Sequence, residues 1–301
     1  MKRIATAVAA VMLLSACGGG GDPLSNSGGN NPAPTDTIVV GSGNFPESRL
    51  LAEIYAEALS AKGVKVSKKL NIGNRELYFK GVQDGSIDLI PEYTGVLLKH
   101  VNKNATEVSS DEVYTALKKS LPQGLTVLDK SAAEDKDAVV VTKQTAAQYS
   151  LKTLDDLVPY CKEMVFGGPP EFQTRPDGLP GLKEKYKCEF KSFKALDVGG
   201  PVTVAGLKDG TVQAADLFTT DTAITTNEFV VLEDPKSVFA AQNVLPLINE
   251  KKASQQVRDV LNGISKKLDT KALLDLNAKL ASPDKPEPDK VAKDWLASVG
   301  L

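Results

Sequence analysis

Short apolar runs alternate with helical apolar periodicity along residues 37–250, the pattern of strands interleaved with amphipathic helices in an α/β protein. Ile38-Val39-Val40 reads as a buried strand and residues 41–44 as a turn. Pro46-Glu47 then opens a helix, because proline suits the first turn and an acid suits the positive end of the helix dipole. Leu50, Leu51, Ile54, Tyr55, Ala58 and Leu59 recur at helical spacing until Gly63 stops them. Farther on, Val257, Val260, Leu261, Ile264 and Leu268, then residues 273–280, then Val291, Trp295 and Leu296 predict further amphipathic helices.

The pattern repeats. Val39-Val40-Gly41-Ser42 returns as Val165-Phe166-Gly167-Gly168, and Leu70-Asn71-Ile72-Gly73 as Leu196-Asp197-Val198-Gly199, both 126 residues on. The run from Gly81 through Asp84-Gly85 to Tyr93-Thr94 returns from Gly206 through Asp209-Gly210 to Phe218-Thr219, 125 residues on. Each match alone is weak, since Asp-Gly turns before apolar runs are common. Three in order at nearly one offset predict two similar lobes. Residues 41–47, 73–77 and 93–95 from one lobe would then meet residues 167–173, 199–203 and 218–222 from the other, in the kind of crevice where open α/β sheets take their ligands.

The first residues predict where the chain works. Lys2 and Arg3 precede an apolar run of about ten residues, 5–14, whereas spanning a bilayer takes about 20. Residues 1–16 therefore read as an export signal. Leu14-Ser15-Ala16-Cys17 resembles the lipobox of bacterial lipoproteins, which implies cleavage before Cys17 and lipid on it; an ordinary secretory signal is the alternative. Residues 17–36 have almost no apolar side chains to offset ordering entropy and read as a flexible stalk. The expected location is outside the cytoplasm, lipid-anchored at the outer face of a bacterial cell membrane or in the periplasm. Export also makes Cys161 and Cys188 a candidate disulfide, with two buried free thiols as the alternative.

Composition narrows the function. Over 301 residues, 36 Lys+Arg against 38 Asp+Glu leave a net charge of −2, with no basic surplus for nucleic acid. One histidine and three cysteines leave little for a metal centre, so neither metal nor cofactor is expected. No nucleophile motif surrounds the serines, aspartates or His100, so an enzyme is not expected either. The facing loops instead supply Asn44, Phe45, Asn74, Arg75, Tyr93, Thr94, Phe172, Phe218 and Thr219 as candidate ligand contacts. Helix starts favour a carboxylate, which Arg75 could clamp unless it pairs with a neighbour such as Glu76. Aromatic faces suit a quaternary ammonium, and together these describe a zwitterion site. Phe45, Phe172 and Phe218, each taken singly, read as core residues rather more than as cage, while Arg175 and Asp177 read as a turn brace.

Four segments resemble the substrate-binding proteins of ABC importers for osmoprotectants, the glycine betaine and choline group. They are Gly41-Ser42-Gly43-Asn44-Phe45-Pro46-Glu47, Pro91-Glu92-Tyr93-Thr94-Gly95, Glu171-Phe172-Gln173-Thr174-Arg175-Pro176-Asp177-Gly178 and Asp216-Leu217-Phe218-Thr219-Thr220-Asp221. The resemblance implies an α/β, two-lobed type II periplasmic-binding-protein fold with a ligand cleft between the lobes. Lobe 1 would comprise residues 37–129 and 226–301, and lobe 2 residues 130–225, with crossings near 128–137 and 224–232. It further implies a monomeric solute receptor that closes by a hinge on a small zwitterionic or quaternary-ammonium osmoprotectant and serves a membrane permease. The family's cage of tyrosines is matched at Tyr93, but a segment that often bears another reads Gly199-Gly200-Pro201-Val202-Thr203. A different small polar or aromatic metabolite, or a tethered sensory or enzyme domain, remains the alternative.

Overall fold

Ten strands form two separate sheets in residues 36–301, the part of the chain that the structure, a computed structural model, describes. The expected signal, Cys17 and residues 18–35 of the stalk lie outside the described residues. The strands are β1 (Ile38–Gly41), β2 (Val66–Lys69), β3 (Leu89–Tyr93), β4 (Leu125–Val127), β5 (Asp137–Val141), β6 (Val165–Gly168), β7 (Ser192–Ala195), β8 (Ala214–Phe218), β9 (Val230–Val231) and β10 (Val244–Asn249). The first sheet has the order β2-β1-β3-β10-β4 and the second β7-β6-β8-β5-β9. In each, the first three strands are parallel and the fourth runs antiparallel to both neighbours.

The sequence repeat thus falls at equivalent places in the two sheets: on β1 and β6, just past β2 and β7, and through β3 and β8. Each antiparallel fourth strand begins just after the chain has crossed between lobes, so the two sheets are built alike although the chain enters them differently.

The helix Pro46–Ala61 shows how the first lobe is held. Phe45 is extended before it (φ −132°), Pro46 takes the first turn, and Gly63 beyond its end adopts φ +79°, which glycine reaches without a Cβ clash. Leu50, Leu51, Ile54 and Leu59 are fully buried against the sheet and the helices Gln255–Lys267, Thr270–Leu280 and Pro288–Val299. Each contributes about 1.5–3 kcal/mol by leaving water. In the second lobe Cys161 and Cys188 are bonded across a separation of 27 residues, with Cα atoms 5.5 Å apart, inside a core that includes Phe166, Phe172 and Tyr186.

Two segments join the lobes, residues 128–136 and 240–243. They run antiparallel and are laced together: Ser131 N donates to Val244 O (2.8 Å), Val244 N to Ala133 O (3.0 Å) and Asp135 N to Gln242 O (3.1 Å). The return crossing comes later than the expected 224–232. β9 pairs with β5, and Leu232, Val238 and Phe239 pack in the second lobe's core, so residues 226–239 belong with the second lobe. Backbone pairing with a distant strand decided this, and no local apolar pattern marks it. No described helix is long and apolar enough to cross a membrane.

Candidate functional site

Three aromatic rings from both lobes meet at the strand ends. Phe45 follows the turn after β1, Tyr93 ends β3 and Phe218 ends β8. The Phe45 centroid lies 6.2 Å from that of Tyr93 and 5.4 Å from that of Phe218, tilted by 33° and 34°. Ring faces clustered at such spacing suit a cation that lacks N–H donors, at about 0.5–2 kcal/mol per ring.

Glu47 holds this cluster from beneath. Its buried carboxylate accepts the Tyr93 hydroxyl (2.6 Å) and the Thr220 hydroxyl of the second lobe (2.6 Å), and also Asn277 Nδ2 from the helix Thr270–Leu280. Burial, then the Glu47 charge, keeps the Tyr93 phenol well above its usual value, so it remains a donor.

Beside the rings lies a small inner cavity of about 40 Å³, walled in part by Asn44, Asn74, Arg75, Asp137 and Arg175. Arg75 does not pair with Glu76. Its Nε and Nη2 hold both oxygens of buried Glu92 at 2.9 Å, and Glu92 also accepts the Tyr78 hydroxyl (2.8 Å). Glu76 is taken by Arg175, whose Nε and Nη2 reach its two oxygens at 3.0 and 2.9 Å. That pair joins the lobes, so Arg175 is more than the turn brace its sequence context suggests. Burial opposes ionisation of Glu76, yet Arg175 carries its carboxyl down to about 2.

With both arginines paired, the acids left at the site come from the outward crossing and the second lobe. Asp135 and Asp137 line the inner cavity, and Asp177 and Asp216 are buried nearby. Burial, reinforced by Asp137, pushes Asp177 up to about 6 and Asp216 well above the usual range. Burial, then Glu47, raises Asp135 likewise. Carboxyls that resist ionisation so strongly mark a place where a positive charge is welcome.

Three expected contacts lie elsewhere. Phe172 is 3% exposed and stacked on Phe166 at 5.2 Å, a core residue of the second lobe. The Thr94 hydroxyl donates to Ala241 O (2.9 Å) and accepts from Asn243 N (3.0 Å), bracing the return crossing. Thr219 Oγ1 accepts from Lys136 N (2.9 Å) and donates to Asp135 (3.3 Å), bracing the outward one. Asn74 lines the cavity while its side chain accepts from Leu77 N (3.3 Å) to cap the helix Arg75–Asp84. Asp135 and Asp137 carry no sequence signal, because no motif surrounds them; they reach the cavity only because the outward crossing passes it. His100, packed edge-on against Phe79 at 4.7 Å, lines neither this cavity nor its larger neighbour. Among the described residues, no cluster of three or more His, Cys, Asp or Glu side chains is arranged to hold a metal ion.

The family described as the substrate binding domain of ABC-type glycine betaine transport systems matches residues 36–298. The chain belongs to this family. Within it, the chain is 25% identical over 280 residues to the glycine-betaine-binding protein of Pseudomonas aeruginosa, covering 88% of each. It is 25% identical over 269 residues to the ergothioneine transport permease/ergothioneine binding protein EgtU of Helicobacter pylori. That match covers 88% of this chain and 48% of the relative, so the chain spans about half the relative's length. The crystal structure of a glycine betaine/carnitine/choline ABC transporter superposes with a TM-score of 0.68 at 21% identity, covering 87% of this chain and 98% of that one, which shows the shared two-lobed fold.

Proposed function

We propose that the chain is the extracytoplasmic solute receptor of an ABC importer, and that its lobes close on a small quaternary-ammonium or zwitterionic solute of the betaine and choline class, leaving it chemically unchanged. The observation that carries this reading is the meeting of Phe45, Tyr93 and Phe218, from both lobes, next to Asp135 and Asp137. The rings offer their negative faces, and Asp135, which resists ionisation in the empty site, gains its charge when a cation sits beside it, while Arg75 and Arg175 are already neutralised by Glu92 and Glu76. Arg75 keeps Nη1 outside its bonds to Glu92, as a donor to a solute carboxylate. Relatives named for glycine betaine binding support the solute class.

Export on residues 1–16, a lipid tether on Cys17 and delivery by the monomer to a membrane permease complete the reading. Ligand contacts to both lobes would favour the shut state by a hinge at the two crossings. A thermal-shift and calorimetric screen of glycine betaine, choline and carnitine, with amino acids as controls, tests it. Binding of a quaternary ammonium raises the melting point, because it selects the folded form, and compacts the protein in X-ray scattering. A folded protein indifferent to every quaternary ammonium would refute the proposal.

A further inference from the structure

A second, much larger chamber opens on the other side of the Phe45–Phe218 pair. Its volume is about 740 Å³, against about 40 Å³ inside. The inner cavity has room for little more than a water molecule, whereas the outer one falls in the range of about 300–1,000 Å³ that small-molecule sites occupy. The two share Phe45, Asp135, Val198 and Phe218 as walls, so the ring pair, 5.4 Å between centroids, is the partition between them.

The remaining walls of the outer chamber come from both lobes and present more apolar than polar surface: Pro46, Leu280 and Ala281 from the first and Pro201, Val204 and Ala205 from the second are its apolar part, with Glu47, Asp221 and Asn277 among the polar residues at its margin. The loop at its floor lies against the Phe218 ring because residue 199 is glycine. It adopts φ +59°, and a Cβ there would come within 3.1–3.2 Å of the ring. Water in such a chamber faces apolar walls, and an apolar group that displaces it gains free energy. A solute no larger than its own quaternary head would leave that gain unused.

We infer that the outer chamber is a second subsite of the solute site, and that the solute carries a ring or apolar chain directly beside its quaternary nitrogen. This rests on the quaternary-ammonium reading above. The nitrogen lies against Phe45 and Phe218, near Asp135, and the apolar part fills the chamber between Pro201, Ala205 and Ala281. Because those walls belong to both lobes, filling the chamber also holds the lobes together.

Calorimetric titration of the chain with glycine betaine and with N-benzyl-N,N-dimethylglycine, which replaces one methyl by a benzyl group, tests this. The benzyl compound binds about tenfold more tightly than glycine betaine. Ala205→Trp and Ala281→Trp, at exposed positions that tolerate bulk, narrow the chamber and remove that advantage while glycine betaine affinity stays within about twofold. The inference is overturned if the benzyl compound binds no more tightly than glycine betaine, or if it keeps its advantage in both variants. If neither compound binds, the quaternary-ammonium reading falls and the subsite with it.

Discussion

The Tyr93 hydroxyl donates to Glu47 Oε1 at 2.6 Å while Thr220, from the opposite lobe, donates to Glu47 Oε2 at the same distance. One buried carboxylate thereby orients a ring of the site and joins the lobes. Glu47→Ala leaves the Tyr93, Thr220 and Asn277 donors without their acceptor and is expected to lower unfolding free energy by about 2–4 kcal/mol in urea titration. Thr220→Ala removes only the bond between lobes, so its expected signature is a larger radius of gyration with a loss of about 1 kcal/mol or less.

The rings divide by role. Phe45→Leu, Tyr93→Leu and Phe218→Leu each remove a face from the cluster and should weaken binding of a quaternary ammonium by about 2- to 30-fold, from about 0.5–2 kcal/mol per ring. Phe172→Ala should instead lower stability by about 3–5 kcal/mol, because it empties space beneath Phe166, and leave the affinity of the folded fraction unchanged. Calorimetry read beside denaturation separates the two outcomes.

Arg175 and Glu76 form a bridge that exists only while the lobes touch. Its carboxylate is half exposed, so screening limits its worth, and Arg175→Ala should weaken solute affinity several-fold, by less at high salt. The sign with pH follows from the Glu76 carboxyl being lowered to about 2 from 4.5. The bridge favours closure fully above pH 4.5 and loses that effect as pH falls toward 2. Scattering across that window should show the protein expanding in Arg175-bearing protein and not in the Ala variant.

Asp177 behaves in the opposite sense. Burial, then Asp137, raises its carboxyl from 3.8 to about 6, so the folded state holds the proton more tightly than the unfolded chain. Its protonated form is stable below pH 3.8, and stability falls as pH rises through about 6, by about 3 kcal/mol in total. Asp177→Asn escapes this penalty. The melting point of the variant relative to the parent should therefore climb between pH 4 and pH 6.5 and level off above.

Closing a loop of 27 residues, the Cys161–Cys188 bond should contribute about 3 kcal/mol by restricting the unfolded chain. Reductant, or Cys161→Ser with Cys188→Ser, should lower the unfolding free energy in urea titration by that amount while leaving the first lobe's solute contacts intact.

Much of the architecture was already legible along the chain. Strand and helix periods are local, so β1, the helix Pro46–Ala61 and the three C-terminal helices follow from apolar spacing, and the offset of 126 and 125 residues revealed two sheets of one design. Phe45, Tyr93 and Phe218 are legible as site residues because they stand where strands end. Phe172 looked just like them, since burial depends on what packs from elsewhere, and Phe166 reaches it only in three dimensions.

What the folded chain alone decided is which polar groups meet. Glu47 finds partners 46, 173 and 230 positions away, Arg175 finds Glu76 at 99, and Asp135 enters the site because two crossing segments pair side by side. A charged side chain carries no periodic mark of its partner, because ion pairing acts through space and not along the backbone. Local spacing therefore determined the two lobes and the aromatic loops, and tertiary packing determined the acids, the bridges between lobes and the size of the chamber they enclose.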